Sequence, residues 1–144
     1  MPKVLLATDS DVIHEEVDAA LDTGDTTVRR VRQGHDVLPA IAGEMPDLVV
    51  LDLQIGNMGG MAACMAIRLE ESGGRLPHLP VLMLLDRVAD LFLARRSHAD
   101  GWLVKPLDAF RLRRAALALL AGGEWFELEP VEASMGIADA PDPG

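Results

Sequence analysis

Three ionisable residues far apart in the chain stand just past short apolar runs: Asp9 after Val4–Ala7, Asp52 after Leu48–Leu51, and Lys105 after Trp102–Val104. A fourth run, Val81–Leu85, leads into Asp86. If these runs are parallel strands of one open sheet, ligands gather beyond their carboxyl ends, where these side chains emerge together. Two carboxylates and an ammonium in one place can hold a hard divalent cation and offset negative charge that develops during a reaction. No local motif announces the set, so its weight lies in the shared placement. The chain holds two lysines, Lys3 and Lys105, against eleven arginines. A lysine at this point fits a need for a compact point charge rather than a planar fork.

The elements that must position these groups follow from hydrophobic pattern and punctuation. Lys3–Ala7 reads as a buried strand, and Ser10 or Asp9 caps a helix from Asp11 to about Leu21 with Val12, Ile13, Val17, Ala20 and Leu21 as its apolar set. Thr26–Val31 alternates as a half-buried edge strand, and Asp36 to about Gly43 forms a short helix. Pro46 introduces a strand ending at Asp52. Gly56, Gly59 and Gly60 punctuate the loop before a helix from Met61 to about Glu71, which Gly73 and Gly74 stop. Pro80 opens the strand to Leu85, a helix runs from about Ala89 to His98, and Trp102–Val104 is the fifth strand. The last helix spans Asp108 to about Ala121. Strands and helices alternate five times, and most strands are wholly apolar. The pattern predicts an α/β fold, a doubly wound five-stranded parallel sheet covered on both faces.

The bulk properties exclude several classes. With 144 residues and 49% hydrophobic content the chain suits one domain, and 3% aromatics make its core aliphatic. A net charge of −10 argues against general nucleic-acid binding. Cys64 stands alone, so no internal disulfide or multi-cysteine metal site is available. No apolar stretch reaches membrane-span length and no secretory signal is present, so a cytoplasmic protein is expected. The domain is read as residues 1–123. Residues 124–144, acidic and carrying Pro130, Gly136, Pro141 and Pro143, read as a flexible tail, with no output domain after residue 123. Arg95, Arg96 and Arg111 belong to a basic stripe, either a solvated surface or a face for a partner. His14, His35, His78 and His98 lack the spacing of a metal site, and Cys64 reads as a buried apolar filler.

Over about residues 3–121 the chain resembles the receiver domains of two-component response regulators, which have a flavodoxin-like three-layer fold. The matching blocks are Val4–Asp9, Pro46–Gly60, Leu79–Met83 and Gly101–Pro106, in order and spacing. The resemblance implies that Asp52 accepts a phosphoryl group from a sensor histidine kinase or phosphotransfer protein. It implies Mg²⁺ held by Asp9, Asp52 and the Gln54 backbone carbonyl, Lys105 against the phosphoryl oxygens, and dimerisation through the fourth helix, fifth strand and fifth helix. Such a domain is a phosphoacceptor that can catalyse its own phosphotransfer and dephosphorylation rather than an enzyme in the ordinary sense. The physics agrees: a carboxylate attacking a phosphoryl group must overcome charge repulsion, which a cation and a positioned ammonium relieve.

Several positions depart from the family pattern. Thr8 replaces one of two adjacent acids, which should weaken metal binding. Leu85 stands where a Ser or Thr usually bonds the phosphoryl group, and no Ser or Thr lies between Arg75 and Arg96 to replace it. Asp86 replaces a small residue at the mouth, where it should repel phosphate and narrow the entrance. Gly56 stands in place of a proline that often stiffens the loop, and Trp102 occupies the aromatic switch position. Two readings result. One is an atypical single-domain response regulator that signals through protein–protein contacts. The other is a pseudo-receiver, a phosphorylation-independent binding or dimerisation module using Arg95, Arg96, Trp102 and Arg111. A hydrolase with an Asp nucleophile would need a second carboxylate two residues on, where Gln54 stands.

Overall fold

The computed structural model describes residues 2–127. Five strands form the central sheet: β1 (Lys3–Ala7), β2 (Thr27–Val31), β3 (Leu48–Asp52), β4 (Val81–Leu85) and β5 (Gly101–Val104). Between and after them lie α1 (Asp11–Leu21), α2 (Val37–Gly43), α3 (Gly60–Ser72), α4 (Leu91–Arg96) and α5 (Ala109–Leu120). Single 3₁₀ turns, Gly34–Asp36 and Val88–Asp90, lead into α2 and α4. A short β6 (Trp125–Phe126) completes the sheet, in the order β2-β1-β3-β4-β5-β6, all parallel.

The five expected strands are all present, and a two-residue sixth, drawn from the segment read as tail, adds to their edge. A two-residue strand carries too little periodicity to be read, and its acidic surroundings masked it. The remainder of the expected tail, 128–144, lies outside the described residues. The fourth helix is shorter than anticipated because its first turn is 3₁₀. Val12, counted among the apolar face of α1, is exposed, since Ile13, Val17, Ala20 and Leu21 alone share the inward stripe.

The chain passes from β1 outward to β2, then crosses back to β3 on the other side of β1. The order of strands therefore reverses between β1 and β3, and an open parallel sheet leaves its crevice at that point, at the carboxyl ends. Along the strands alternate side chains serve opposite faces. Leu5, Val49, Leu51, Met83 and Leu85 pack with α2, α3 and α4, whereas Leu6, Leu48, Val50, Leu82 and Leu103 pack under α1 and α5. The interior is aliphatic as expected, with one fully buried aromatic, Trp102. Ser10 Oγ caps α1 by accepting from Ile13 N at 3.2 Å. Among the described residues no helix is long and apolar enough to cross a membrane.

Candidate functional site

Asp52 ends β3 and is 2% exposed. Each of its carboxylate oxygens has its own donor. Oδ1 accepts from Lys105 Nζ at 2.7 Å and from Gln54 N at 3.3 Å, while Oδ2 accepts from the Thr8 hydroxyl at 2.7 Å. A carboxylate this deep is tolerated because an ammonium and hydrogen bonds replace its water. Thr8 is fully buried, and its hydroxyl oxygen also accepts from Ser10 N. The Thr8 carbonyl is held in turn by Arg30 Nε at 3.0 Å. The residue that stands in for an acid is thus a hydrogen-bond donor to the neighbouring acid.

Lys105 follows β5, and its backbone N donates to the Leu85 carbonyl at 2.8 Å, which anchors it across to β4. The Lys105–Pro106 peptide bond is cis. Its ammonium is shared: besides Asp52 it contacts Asp86 Oδ1 at 3.0 Å. Burial alone would lower the Lys105 pKa, but hydrogen bonds and attraction from Asp52 and Asp86 outweigh it and hold the ammonium above its ordinary range. The second Asp86 oxygen is buried with no partner among the described residues. Read from sequence, Asp86 was a repulsive charge at the mouth. Its position adds a second role, because it competes with Asp52 for the one ammonium.

Asp9 lies at the exposed rim, where its Oδ2 accepts from Gly56 N at 3.2 Å. A proline at 56 could not make this bond. The loop after β3 is fixed further by Gly34 N donating to the Gly56 carbonyl at 3.0 Å and His35 N donating to the Asn57 carbonyl at 2.9 Å. Gly34 is required by proximity: a Cβ there would fall 1.5 Å from the Met58 carbonyl oxygen. Asn57 and Met58 both take positive φ in this loop. The glycine that replaces the stiffening proline therefore comes with its own set of anchors.

Leu85 is fully buried and belongs to the same cluster as Trp102. It presents no donor to the pocket. Trp102 packs inward with its indole N–H donating to the Glu127 carbonyl at 2.7 Å. Arg95 and Arg96 are exposed on α4. Arg111 is not part of a free stripe. It donates to the Glu127 carboxylate, to Asp108, and to the carbonyls of Val104 and Pro106. Those partners, Glu127 above all, hold its guanidinium charged well above the ordinary range. Glu127 and Arg30 escaped the sequence reading because their partners lie on other elements, with no spacing signal.

Among the described residues no group of three or more His, Cys, Asp or Glu is arranged to hold a metal. Mg²⁺ needs fewer: it takes one or two carboxylates and keeps several waters. Asp9, Asp52 and the Gln54 carbonyl are oxygen donors of that kind, so the donor set fits the ion with two carboxylates. The Thr8 hydroxyl on Asp52 Oδ2 uses part of that capacity.

Comparison with known proteins decides the family. The model of the response regulator receiver domain matches residues 4–117. The chain belongs to the receiver family. This receiver is 31% identical over 126 residues to the transcriptional regulatory protein AfsQ1 of Streptomyces coelicolor, covering 86% of the chain and 53% of AfsQ1. It is 30% identical over 122 residues to the DNA-binding dual master transcriptional regulator RpaA of a Synechocystis strain, covering 83% and 49%. The receiver thus spans about half the length of these curated relatives. Among solved structures it is similar to the chemotaxis protein CheY4 of Vibrio cholerae, with TM-score 0.71, 25% identity and 81% and 97% of the two chains covered. The receiver domain of NtrX from Brucella abortus gives TM-score 0.71 and 27% identity over 82% and 98%. The fold is the flavodoxin-like one of these receivers, and residues 4–117 form a receiver domain of the kind found in two-component response regulators.

Proposed function

We propose that this receiver accepts a phosphoryl group on Asp52 from a histidine kinase or phosphotransfer protein and signals through protein–protein contacts. The observation that carries the reading is the buried Asp52 carboxylate held at 2.7 Å by Lys105 at the carboxyl edge of the sheet. In the transfer an Asp52 carboxylate oxygen attacks phosphorus, the bond to the donor nitrogen breaks, and the donor leaves with that electron pair. The product is an acyl phosphate. Lys105 is already placed on Asp52 and would follow the negative charge onto the phosphoryl oxygens, where a preorganised ammonium is most effective. Thr8 fixes the other carboxylate oxygen. Asp9, Asp52 and the Gln54 carbonyl would hold Mg²⁺, which supplies charge neutralisation for the transferring group. Hydrolysis of the acyl phosphate by water would return Asp52 to its resting state.

The experiment is incubation with acetyl phosphate and Mg²⁺, followed by intact mass. The native protein should gain the mass of one phosphoryl group, and Asp52→Asn should gain none. Equal modification of both would remove Asp52 from the role. A second reading, a pseudo-receiver working without phosphorylation, is favoured by one observation: the Asp86 carboxylate shares the Lys105 ammonium that the chemistry needs. No mass gain in the native protein, with kinase as well as with acetyl phosphate, would select it.

A further inference from the structure

The pocket holds one ionisable group that phosphoryl transfer onto Asp52 does not use. Asp86 directly follows β4, and Lys105 Nζ lies 3.0 Å from its Oδ1 and 2.7 Å from Asp52 Oδ1. The two carboxylates are therefore no more than two hydrogen-bond lengths apart. Asp86 Oδ2 is buried without a partner, so among the described residues Lys105 is the only donor this carboxylate has. A half-satisfied carboxylate is costly to keep in a folded protein. The Asp86 side chain is nonetheless 34% exposed, so one flank reaches solvent while Oδ1 lies on the Lys105 side, towards Asp52.

A phosphoryl group on Asp52 changes what surrounds Asp86. The ammonium is drawn onto the phosphoryl oxygens, because the negative charge has moved there. Asp86 then loses its one protein donor and stands beside an anion with solvent on its open flank. Water is the donor within reach. A carboxylate that accepts from a water molecule next to an acyl phosphate is placed as a general base. The span permits it: one covalent bond from Asp52 to phosphorus, then an attack distance of about 3 to 3.5 Å, sets a water oxygen within hydrogen-bond reach of Asp86.

From this we infer that Asp86 is the general base for hydrolysis of the Asp52 acyl phosphate, so the protein carries its own means of ending the phosphorylated state. The inference rests on phosphorylation of Asp52 as proposed above. In the step, the water oxygen attacks phosphorus and its proton passes to an Asp86 oxygen. The bond from phosphorus to the Asp52 oxygen breaks, and its electron pair returns to the carboxylate. Inorganic phosphate leaves, Asp86 gives its proton to solvent, and Lys105 resumes its place between the two carboxylates. At rest Lys105 masks acceptor and base together, and phosphorylation itself uncovers the base. The charge that opposes entry of a phosphoryl group thus also shortens its stay.

The test uses the full chain, phosphorylated with acetyl phosphate and Mg²⁺ and then freed of the donor by rapid desalting. Loss of the phosphoryl mass is followed with time for the native protein and for Asp86→Asn, in ordinary water and in deuterium oxide. Asp86→Asn should lengthen the half-life about tenfold or more. The native protein should decay about twofold more slowly in deuterium oxide, since a proton moves in its transition state, and Asp86→Asn should lose that dependence. Equal half-lives for the two proteins would overturn the inference. So would a longer half-life in Asp86→Asn with the isotope effect intact, because removal of charge alone would produce it. If the native protein takes up no phosphoryl group, the assignment of Asp52 falls and this inference with it. Uptake followed by the same decay in both proteins overturns this inference alone.

Discussion

Removing the charge at position 86 gives a sharp test of how the pocket works. Lys105 Nζ lies between Asp52 Oδ1 at 2.7 Å and Asp86 Oδ1 at 3.0 Å, so the two carboxylates face each other across a single ammonium. An incoming phosphoryl group at Asp52 would come within about 6 Å of the Asp86 charge. At an effective dielectric of about 20 that is about 3 kcal/mol of repulsion per unit charge. The Asp86 side chain is 34% exposed, so solvent screens much of this and about 1 kcal/mol is the fair figure. The same substitution returns the whole ammonium to Asp52, an effect of the same sign. Asp86→Ala should therefore speed phosphorylation by acetyl phosphate about fivefold to tenfold. The assay is the rate of intact-mass gain at fixed Mg²⁺ and ionic strength. Asp86→Asn should give a similar gain, since it removes charge and keeps shape. A rate equal to or below that of the native protein for both variants would refute the electrostatic argument. A gain for Ala but not Asn would show that bulk, not charge, limits access.

Other expectations follow from the same contacts. With Trp125 replaced by Phe so that Trp102 alone reports, Leu85→Thr should enlarge the change in fluorescence on adding beryllofluoride with Mg²⁺, at a stability cost of about 2 kcal/mol because Leu85 is fully buried; an unchanged fluorescence response would show that the absent hydroxyl is not what limits switching. Arg68 donates to Glu71 at 2.7 Å, to Asp100 at 2.6 Å, and to the Leu79 and His98 carbonyls, so Arg68→Met should lower the urea-unfolding free energy by about 3 kcal/mol. A loss under 1 kcal/mol would refute that role. Burial pushes the Cys64 thiol up to about 11 from a reference value of 9.0. Between those values the unfolded chain releases this proton while the folded one keeps it, so the contribution is full below pH 9 and is lost as pH rises towards 11. The decline is roughly 3 kcal/mol at most. Native protein should show this slope in denaturation series and Cys64→Ala should lack it; parallel pH curves for the two would count against the buried thiol.

The sheet was legible because its strands are covered on both faces, which makes Leu48–Leu51 and Val81–Leu85 continuous apolar runs that a surface strand would not show. Strand-end positions then followed from topology, and with them the meeting of Asp52 and Lys105. What escaped was pairing across elements. Asp86 could be read as a charge near the site, but not as a second claimant on Lys105, because side-chain direction is not written in sequence. Arg111 sat in an arginine-rich run and read as surface, since its carboxylate partner lies in a segment whose composition suggested disorder. The hydroxyl of Thr8 looked like a lost ligand, and only the fold gives it a donor role towards Asp52.

The division of the interior by the sheet has a thermodynamic consequence. Ile41 and Ile67 pack together on one side, and Val17 and Leu112 on the other, with the hydrogen-bonded backbone between. Losses at Ile67 and Val17 are then independent and sum, whereas losses at Ile67 and Ile41 share neighbours and do not. Sequence drift beneath α1 and α5 can proceed without disturbing the layer that contains Leu85 and Trp102. The layer that holds Ile41 and Ile67 and the layer that holds Val17 and Leu112 are, in effect, free to diversify at separate rates.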